Sequence, residues 1–320
     1  MVKNKVAVII DTDLGADCDD VGTLVLALQL EKHGFCDIKA VGYCTTNIYG
    51  VQCVDIVRSF YGGKFPIGMY YGKKVECNED QHIFDIDLVD HYKDLIKETN
   101  YIEAYKLYRK VLAEAEDDSI IFITIGELTN AANLVSSLPD EISPLSGQEL
   151  FAKKVKYSCV MGGLINDNHP ITAFNNNEAF PEYNIVCAIE DAQKFVKISA
   201  KPIYFLDFYV GVDVFTGKKV IEHDEHSPMK FAYLKYANGP SRSWDLLAVY
   251  YAITKRLYRS VGPGVMHIDD NGFTTFTKDQ DGHHYYLRPI KSNEEITKEI
   301  DEAIVGNILW KSQKMKKETK

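Results

Sequence analysis

Residues 6–28 read VAVIIDTDLGADCDDVGTLVLAL, and the change of pattern inside this stretch sets the architecture. Residues 6–10 are an unbroken apolar, β-branched run, as expected of a strand buried on both faces. Residues 11–20 then hold five aspartates, Asp11, Asp13, Asp17, Asp19 and Asp20, with no Lys or Arg between them. From residue 21 apolar side chains return, with Leu24, Leu26, Ala27 and Leu28 at spacing that predicts a helix. Strand, acidic loop and helix in this order are the opening of a βαβ unit, the building block of parallel sheets.

The same alternation runs on along the chain. Strands are expected at 38–44, 66–71, 119–125, 155–161 and 202–207, and helices at 51–61, 101–115 and 128–138. Further helices are expected at 229–236, 244–254 and 293–310, with a hairpin over 268–287 and an Asn-rich polar loop at 165–180. No linker, repeat or low-complexity segment divides the sequence. The expectation is one α/β domain over residues 1–320, with a mostly parallel, Rossmann-like central sheet flanked by helices. Sheets of this kind bind ligands at the carboxyl ends of their strands. The basic tail at 311–320 reads as a solvated helix end.

Composition narrows the partners. The 320 residues are 46% hydrophobic, enough for a sizeable core, and carry a formal net charge of -10, which repels nucleic acid and anionic membranes. The seven cysteines, Cys18, Cys36, Cys44, Cys53, Cys77, Cys159 and Cys187, are scattered and form no CxxC pair. Their pattern predicts reduced thiols in a cytoplasmic protein rather than a disulfide framework or a zinc ribbon. The apolar run at 6–10 is about half the shortest signal-peptide core, and no window approaches a membrane span.

The acidic loop needs a neutraliser. Two carboxylates about 4 Å apart repel by roughly 1 kcal/mol in water and about 4 kcal/mol near a protein surface. Packed acids must therefore be protonated, splayed apart or bound to a cation. With oxygen donors and no His or Cys-pair cluster, a hard divalent ion such as calcium fits and zinc does not. Helix capping accounts for Asp19 and Asp20 but not for five acids. An EF-hand fails, because loop position six is Ala16 and position twelve is Gly22. A dehalogenase-type phosphatase remains an alternative on the strength of DTDLG, with Asp269 and Asp270 as a later acidic pair.

Taken whole, DTDLGADCDD resembles the DxDxGxDxDD variant of the motif that opens the inosine-uridine nucleoside hydrolases. Further segments match that family in order: GYCTTN ending at Asn47, TIGELTNAANL at 124–134, VMGGL at 160–164, EYN at 182–184 and SWDLLAVYYA at 243–252. The resemblance implies calcium-dependent hydrolysis of the N-glycosidic bond of a ribonucleoside or related N-riboside, releasing ribose and base. It further implies a salvage role and a homodimer or homotetramer. By the same resemblance Asp13, Asp20, the Ile125 carbonyl and Asp245 hold Ca2+, and Asp13 accepts the proton of the attacking water. The sugar-binding positions are Asp19 (or Asp17 in a shifted register), Asn47, Met161, Asn176 within 175–177, Glu182, Asn184 and Asp245.

The departure lies at Trp244, where family members carry a His that protonates the leaving base. Indole donates a hydrogen bond but supplies no acid, so Trp244 is expected to stack on the base instead. His82, His223 and His226 fall in regions near the expected pocket mouth, and none is assigned a catalytic role. If no acid replaces the missing His, substrates with better leaving groups become plausible. The second alternative is a binding protein that has kept the ribose pocket without turnover.

Overall fold

Val8 and Ile10 point into one helix layer and Ile9 into the other, because successive side chains leave a strand on opposite faces. Ile121 and Ile123 face the first layer while Ile120 and Phe122 face the second, so both neighbouring strands are apolar on each side. In a computed structural model, which describes residues 5–75, 77, 82–165 and 178–308, these strands are the centre of a ten-stranded sheet.

The strands are β1 (Val6–Thr12), β2 (Cys36–Tyr43), β3 (Ile67–Met69), β4 (Ile102–Glu103), β5 (Ile120–Thr124) and β6 (Val155–Met161). They continue with β7 (Ile203–Leu206), β8 (Phe215–Thr216), β9 (Ser241–Arg242), β10 (Tyr258–Ile268), β11 (Thr274–Lys278) and β12 (His284–Pro289). The sheet order is β11-β10-β12-β7-β6-β5-β1-β2-β3-β4, parallel from β12 to β4, with β10 and β11 antiparallel at one edge. β8 and β9 form a separate two-stranded ribbon.

Helices α1 (Asp19–Lys32), α2 (Ile48–Tyr61), α3 (Asp85–Tyr92), α4 (Ala104–Glu114), α5 (Thr129–Ser136) and α6 (Gly147–Lys154) occupy the first half. The second half holds α7 (Tyr183–Val186), α8 (Ile189–Ile198), α9 (Phe208–Gly211), α10 (Lys218–His223), α11 (Pro228–Ala237), α12 (Asp245–Thr254) and α13 (Asn293–Ile304). α1, α2, α11, α12 and α13 supply one layer, and α4, α5, α6 and α8 the other. α1 is buried nearly all round, wedged among the sheet, α12 and α13, so it shows no polar stripe. Truncating a core leucine such as Leu24 or Leu246, both wholly buried, costs about 2–5 kcal/mol through lost burial plus the cavity left behind.

From β1 the chain builds outward through β2, β3 and β4, then returns to the other side of β1 with β5, β6 and β7. The direction of winding therefore reverses between β1 and β5. Helix connections diverge at such a point and leave a crevice beyond the strand ends. Into that crevice run Asp13 after β1, Ile125 after β5, Met161 at the end of β6 and Phe208 shortly after β7.

The expected α/β architecture is present, with three departures. The expected hairpin over 268–287 is not formed: β11 and β12 each pair with β10, a strand that Gly262, Pro263 and Gly264 hid as poor strand formers, and the ladder to β12 shifts register between Val261 and Gly264. A short helix not expected from the sequence follows Glu182, which accepts from the Asn184 N–H and caps α7. The expectation of reduced cysteines is corrected at one pair, for Cys77 and Cys187 form a disulfide across 110 residues of sequence. Such a partnership, set by tertiary approach alone, leaves no trace in spacing. Asn176 and the tail at 311–320 lie outside the described residues. No helix among the described residues is long and apolar enough to cross a membrane.

Candidate active site

Asp11 and Thr12 are the last residues of β1, and Asp19 and Asp20 the first of α1, so the acidic loop is a tight turn with both ends clamped. Thr12 Oγ1 donates to Asp20 Oδ1, and the Asp19 N–H donates to Asp17 Oδ1 at 3.1 Å. Asp11 faces away from the crevice: Tyr108 Oη and Asn130 Nδ2 both donate to its Oδ1. Burial lifts the Asp11 carboxyl to about 7, with those two donors partly opposing the rise.

Asp245 closes the arrangement from the far end of the chain. It opens α12, and one ligand atom from each of Asp17, Asp19, Asp20 and Asp245 falls within a common span of 4.8 Å. Burial first, and then the mutual repulsion of these acids, hold Asp13, Asp19, Asp20 and Asp245 well above the usual carboxylate range. Asp19 Oδ1 is buried with no hydrogen-bond partner. An all-oxygen, strongly acidic set with an orphaned oxygen suits a hard cation, which would let these groups ionise together.

Of the four expected metal ligands, Asp20 and Asp245 belong to this set, which Asp17 and Asp19 complete, and Asp13 and Ile125 line the same cavity. Asp13 is packed against the β5–α5 turn: a side chain at Gly126 would lie 2.6 Å from Asp13 Oδ1, so only glycine permits the approach. The Ile125 carbonyl accepts from Asn184 Nδ2 at 3.2 Å.

Above the acids opens a cavity of about 480 Å³, within the range of small-molecule sites. Glu182, Asn184 and Met161 form one wall. Glu182 Oε2 accepts from the Gly163 N–H at 3.0 Å, and Asn184 Nδ2 also reaches the Met161 carbonyl at 3.2 Å. Five aromatic side chains also line the cavity: Phe180, Tyr183, Phe208, Tyr236 and Trp244. Trp244 packs over Phe208 with ring centres 5.3 Å apart, and its indole N–H is spent on the Phe208 carbonyl at 2.8 Å. A side chain at Gly211 would lie 2.4 Å from the indole, so this glycine gives Trp244 its seat.

Asn47 stands apart from the main cavity. Its Oδ1 caps α2 through the Tyr49 N–H, and its Nδ2 donates to Asp85, leaving it at the edge of a recess shared with Asp13, Glu127 and Tyr183. His82 pairs with the same Asp85 at 2.9 Å. No histidine lines the cavity among the described residues, and His223 is exposed at the end of α10. Asp269 and Asp270 are no catalytic pair here: Asp269 ties the β10–β11 turn by accepting from the Asn271 and Phe273 N–H groups.

Sequence reasoning missed Glu127, buried behind Asp13, whose carboxylate raises the pKa of Asp13 and Asp20 and accepts from Cys44. A single acid before a helix carries no distinguishing signal. It also missed Phe180, Phe208 and Tyr236, which come from separate segments and meet only in the fold.

A cavity lined by clustered acids, hydrogen-bonding side chains and several aromatic rings suits a ligand with a polyhydroxylated ring joined to a planar one. The family model described as inosine-uridine preferring nucleoside hydrolase matches residues 8–302. No curated protein sequence matches the chain. Among solved structures, the inosine-uridine preferring nucleoside hydrolase from Bacillus anthracis is 16% identical, with a TM-score of 0.70 over 94% of this chain and 99% of that one. The purine-preferring ribonucleoside hydrolase from Gardnerella vaginalis is 16% identical, with a TM-score of 0.68 over 95% and 99%. The type III effector protein XopQ, solved with adenosine diphosphate ribose, is 12% identical with a TM-score of 0.68 over 95% and 94%. At such identities these likenesses speak for the fold.

Proposed function

The chain belongs to the inosine-uridine preferring nucleoside hydrolase family, and from that premise we propose that it hydrolyses the N-glycosidic bond of a purine ribonucleoside with calcium on the aspartate floor of its cavity. One observation carries this reading: Asp13, Asp17, Asp19, Asp20 and Asp245 converge beneath an aromatic wall that ends in Trp244.

Cleavage of a C–N glycosidic bond develops positive charge on the ribose, and a site of fixed negative charge lowers the barrier. The acids below the sugar supply that charge. Asp13, at the junction of cavity and recess, accepts the proton of the attacking water. A bound divalent cation would supply Lewis acidity to the attacking water. Asp17, Asp19, Asp20 and Asp245 would hold it, with Asp13 and the Ile125 carbonyl beside them. Glu182 and Asn184 bind the remaining hydroxyls, and their backbone-anchored positions orient the ring. Trp244 and Phe208 present ring faces to the base. With no histidine on the lining among the described residues to protonate a departing base, the reading favours bases that leave readily once stacked and desolvated.

The test is ribose release from a panel of nucleosides and p-nitrophenyl riboside, with calcium and with chelator. Chelator-sensitive release, faster for purine nucleosides than for uridine, is the expected result; intact substrates throughout would overturn it. The spent indole N–H of Trp244 favours one second reading, a riboside-binding protein without turnover, in line with the ligand-bound XopQ structure. Inosine binding seen by calorimetry with no ribose released would decide for it. A homodimer or homotetramer, cytoplasmic location and a role in base salvage belong to the same proposal, and sedimentation of the purified chain tests the first.

A further inference from the structure

Two cysteines differ from the rest in exposure. Cys77 and Cys187 are partly exposed and bridged, with Cα atoms 5.3 Å apart, while Cys18, Cys36, Cys44, Cys53 and Cys159 are buried free thiols. Burial pushes those five up, Cys159 to about 12, so none is a ready nucleophile at neutral pH. Of the seven cysteines, the two in the bridge are those that solvent reaches.

Its position matters more than its exposure. Cys187 directly follows α7, a helix of four residues whose N-cap is Glu182 and whose second residue is Asn184. So short a helix cannot hold itself and takes its place from tethers. Cys77 provides two of them: the disulfide at one end of α7, and its carbonyl, which accepts from Tyr183 Oη at 3.2 Å, at the other. Tyr183 lines both the cavity and the recess beside Asp13, and Cys77 itself lines that recess.

We propose that the Cys77–Cys187 bridge is a reversible redox site that sets affinity for the riboside, by fastening the α7 segment that carries Glu182 and Asn184. This inference rests on the nucleoside-binding reading above. The reagent it takes is a dithiol. One thiolate of the reductant attacks a bridge sulfur and forms a mixed disulfide, releasing the partner cysteine as a thiol. The second thiol of the reductant then displaces the other cysteine, so the protein gains two thiols and the reductant leaves as its own disulfide. With the bridge open, α7 keeps the Asn184 bonds to the Ile125 and Met161 carbonyls but loses its covalent hold. Binding must then order what the bridge had ordered beforehand.

The experiment compares the calcium-loaded protein before and after mild dithiol treatment, and again after reoxidation. Alkylation mapped by mass spectrometry should find two new thiols, at 77 and 187, with circular dichroism unchanged. Inosine affinity, read from tryptophan fluorescence, should weaken about threefold to tenfold on reduction and recover on reoxidation. The Cys77→Ser/Cys187→Ser variant should bind like the reduced protein in both conditions. Equal affinity before and after reduction, with both thiols released, overturns the proposal, as does a bridge that resists dithiol while the fold is intact. Redox-dependent binding without ribose release would refute hydrolysis alone. Absence of binding in every state would refute both readings together.

Discussion

Asp19 Oδ2 accepts the backbone N–H of Trp244 at 2.7 Å and that of Asp245 at 3.1 Å, so an acid of the first loop caps a helix that begins 226 residues later. The contact places an accepting carboxyl oxygen on the unpaired N–H groups at the start of α12. It also fixes, through one carboxylate, both the aromatic wall and an acid of the floor. Its other oxygen, Oδ1, remains buried and unpartnered, which leaves it for the cation or a ribose hydroxyl.

Asp19→Asn tests this double duty. An amide still accepts at one atom, so the cap is weakened by about 1 kcal/mol and the fold survives. Asp19 belongs to the set that would hold the cation, and since even the groups that orient metal ligands typically matter roughly 10–100-fold in metal affinity or activity, a loss of at least that size in kcat/KM for inosine is expected. Unchanged kcat/KM with an unchanged melting temperature would remove Asp19 from the site.

Cation binding should be visible without substrate. Asp19, Asp20 and Asp245 crowd together with Asp17, and burial and mutual repulsion hold those three well above the usual carboxylate range, a strain that a bound divalent ion would relieve. Calcium at about a hundred times its Kd adds roughly 2.7 kcal/mol to the native state, enough to raise the melting temperature by several degrees. Chelator should reverse the shift, and Asp245→Asn should abolish most of it. A wild-type melting temperature indifferent to calcium, magnesium and chelator alike would contradict a metal floor.

What could be seen in advance was local in character. Five acids in ten residues, flanked by an apolar strand and helix, stand out because charge density is a property of a short window, and alternating apolar runs exposed the parallel sheet in the same way. Glu127 did not stand out, since one acid near a helix start is ordinary. Asn47 resembles a sugar ligand in its motif, yet the structure uses both ends of its side chain on Tyr49 and Asp85, a choice that only the approach of α3 decides. The Cys77–Cys187 bridge and the meeting of Phe180, Phe208 and Trp244 likewise depend on long-range packing. The register of Asp17 and Asp19 was ambiguous in sequence, and in the fold both belong to the acidic set.

Trp244 should act on the base rather than on the sugar. With its N–H held by the Phe208 carbonyl, only the ring face is available to a ligand. Aromatic pairs contribute about 0.5–1.5 kcal/mol beyond area burial, so Trp244→Ala should lower kcat/KM for inosine about threefold to tenfold. p-Nitrophenyl riboside, whose leaving group departs without protonation, should lose less in kcat. Equal losses on both substrates would reduce Trp244 to a plain wall of the cavity.

Glu182 makes stability and binding run in opposite directions with pH. Burial raises its carboxyl from 4.5 to about 7, and the N–H groups of Gly163, Asn184 and Ile185 partly oppose the rise. Between those two values the folded chain keeps a proton that the unfolded chain has released. The stability tied to this group is therefore complete below pH 4.5 and lost as pH rises through 7, a difference on the order of 3 kcal/mol. Ribose hydroxyls are donors, and a carboxylate accepts from them more strongly than a carboxylic acid does. Inosine binding to the calcium-loaded protein should accordingly tighten as pH rises through 7, while unfolding by denaturant becomes easier over the same window. Glu182→Gln cannot titrate, so it should flatten its share of both trends and bind inosine with little pH dependence near neutrality. Fluorescence titrations and urea midpoints at half-unit pH steps from 5 to 8, roughly spanning the transition, separate the outcomes. Identical pH profiles for wild type and Glu182→Gln would show that this carboxyl neither titrates near neutrality nor touches the sugar.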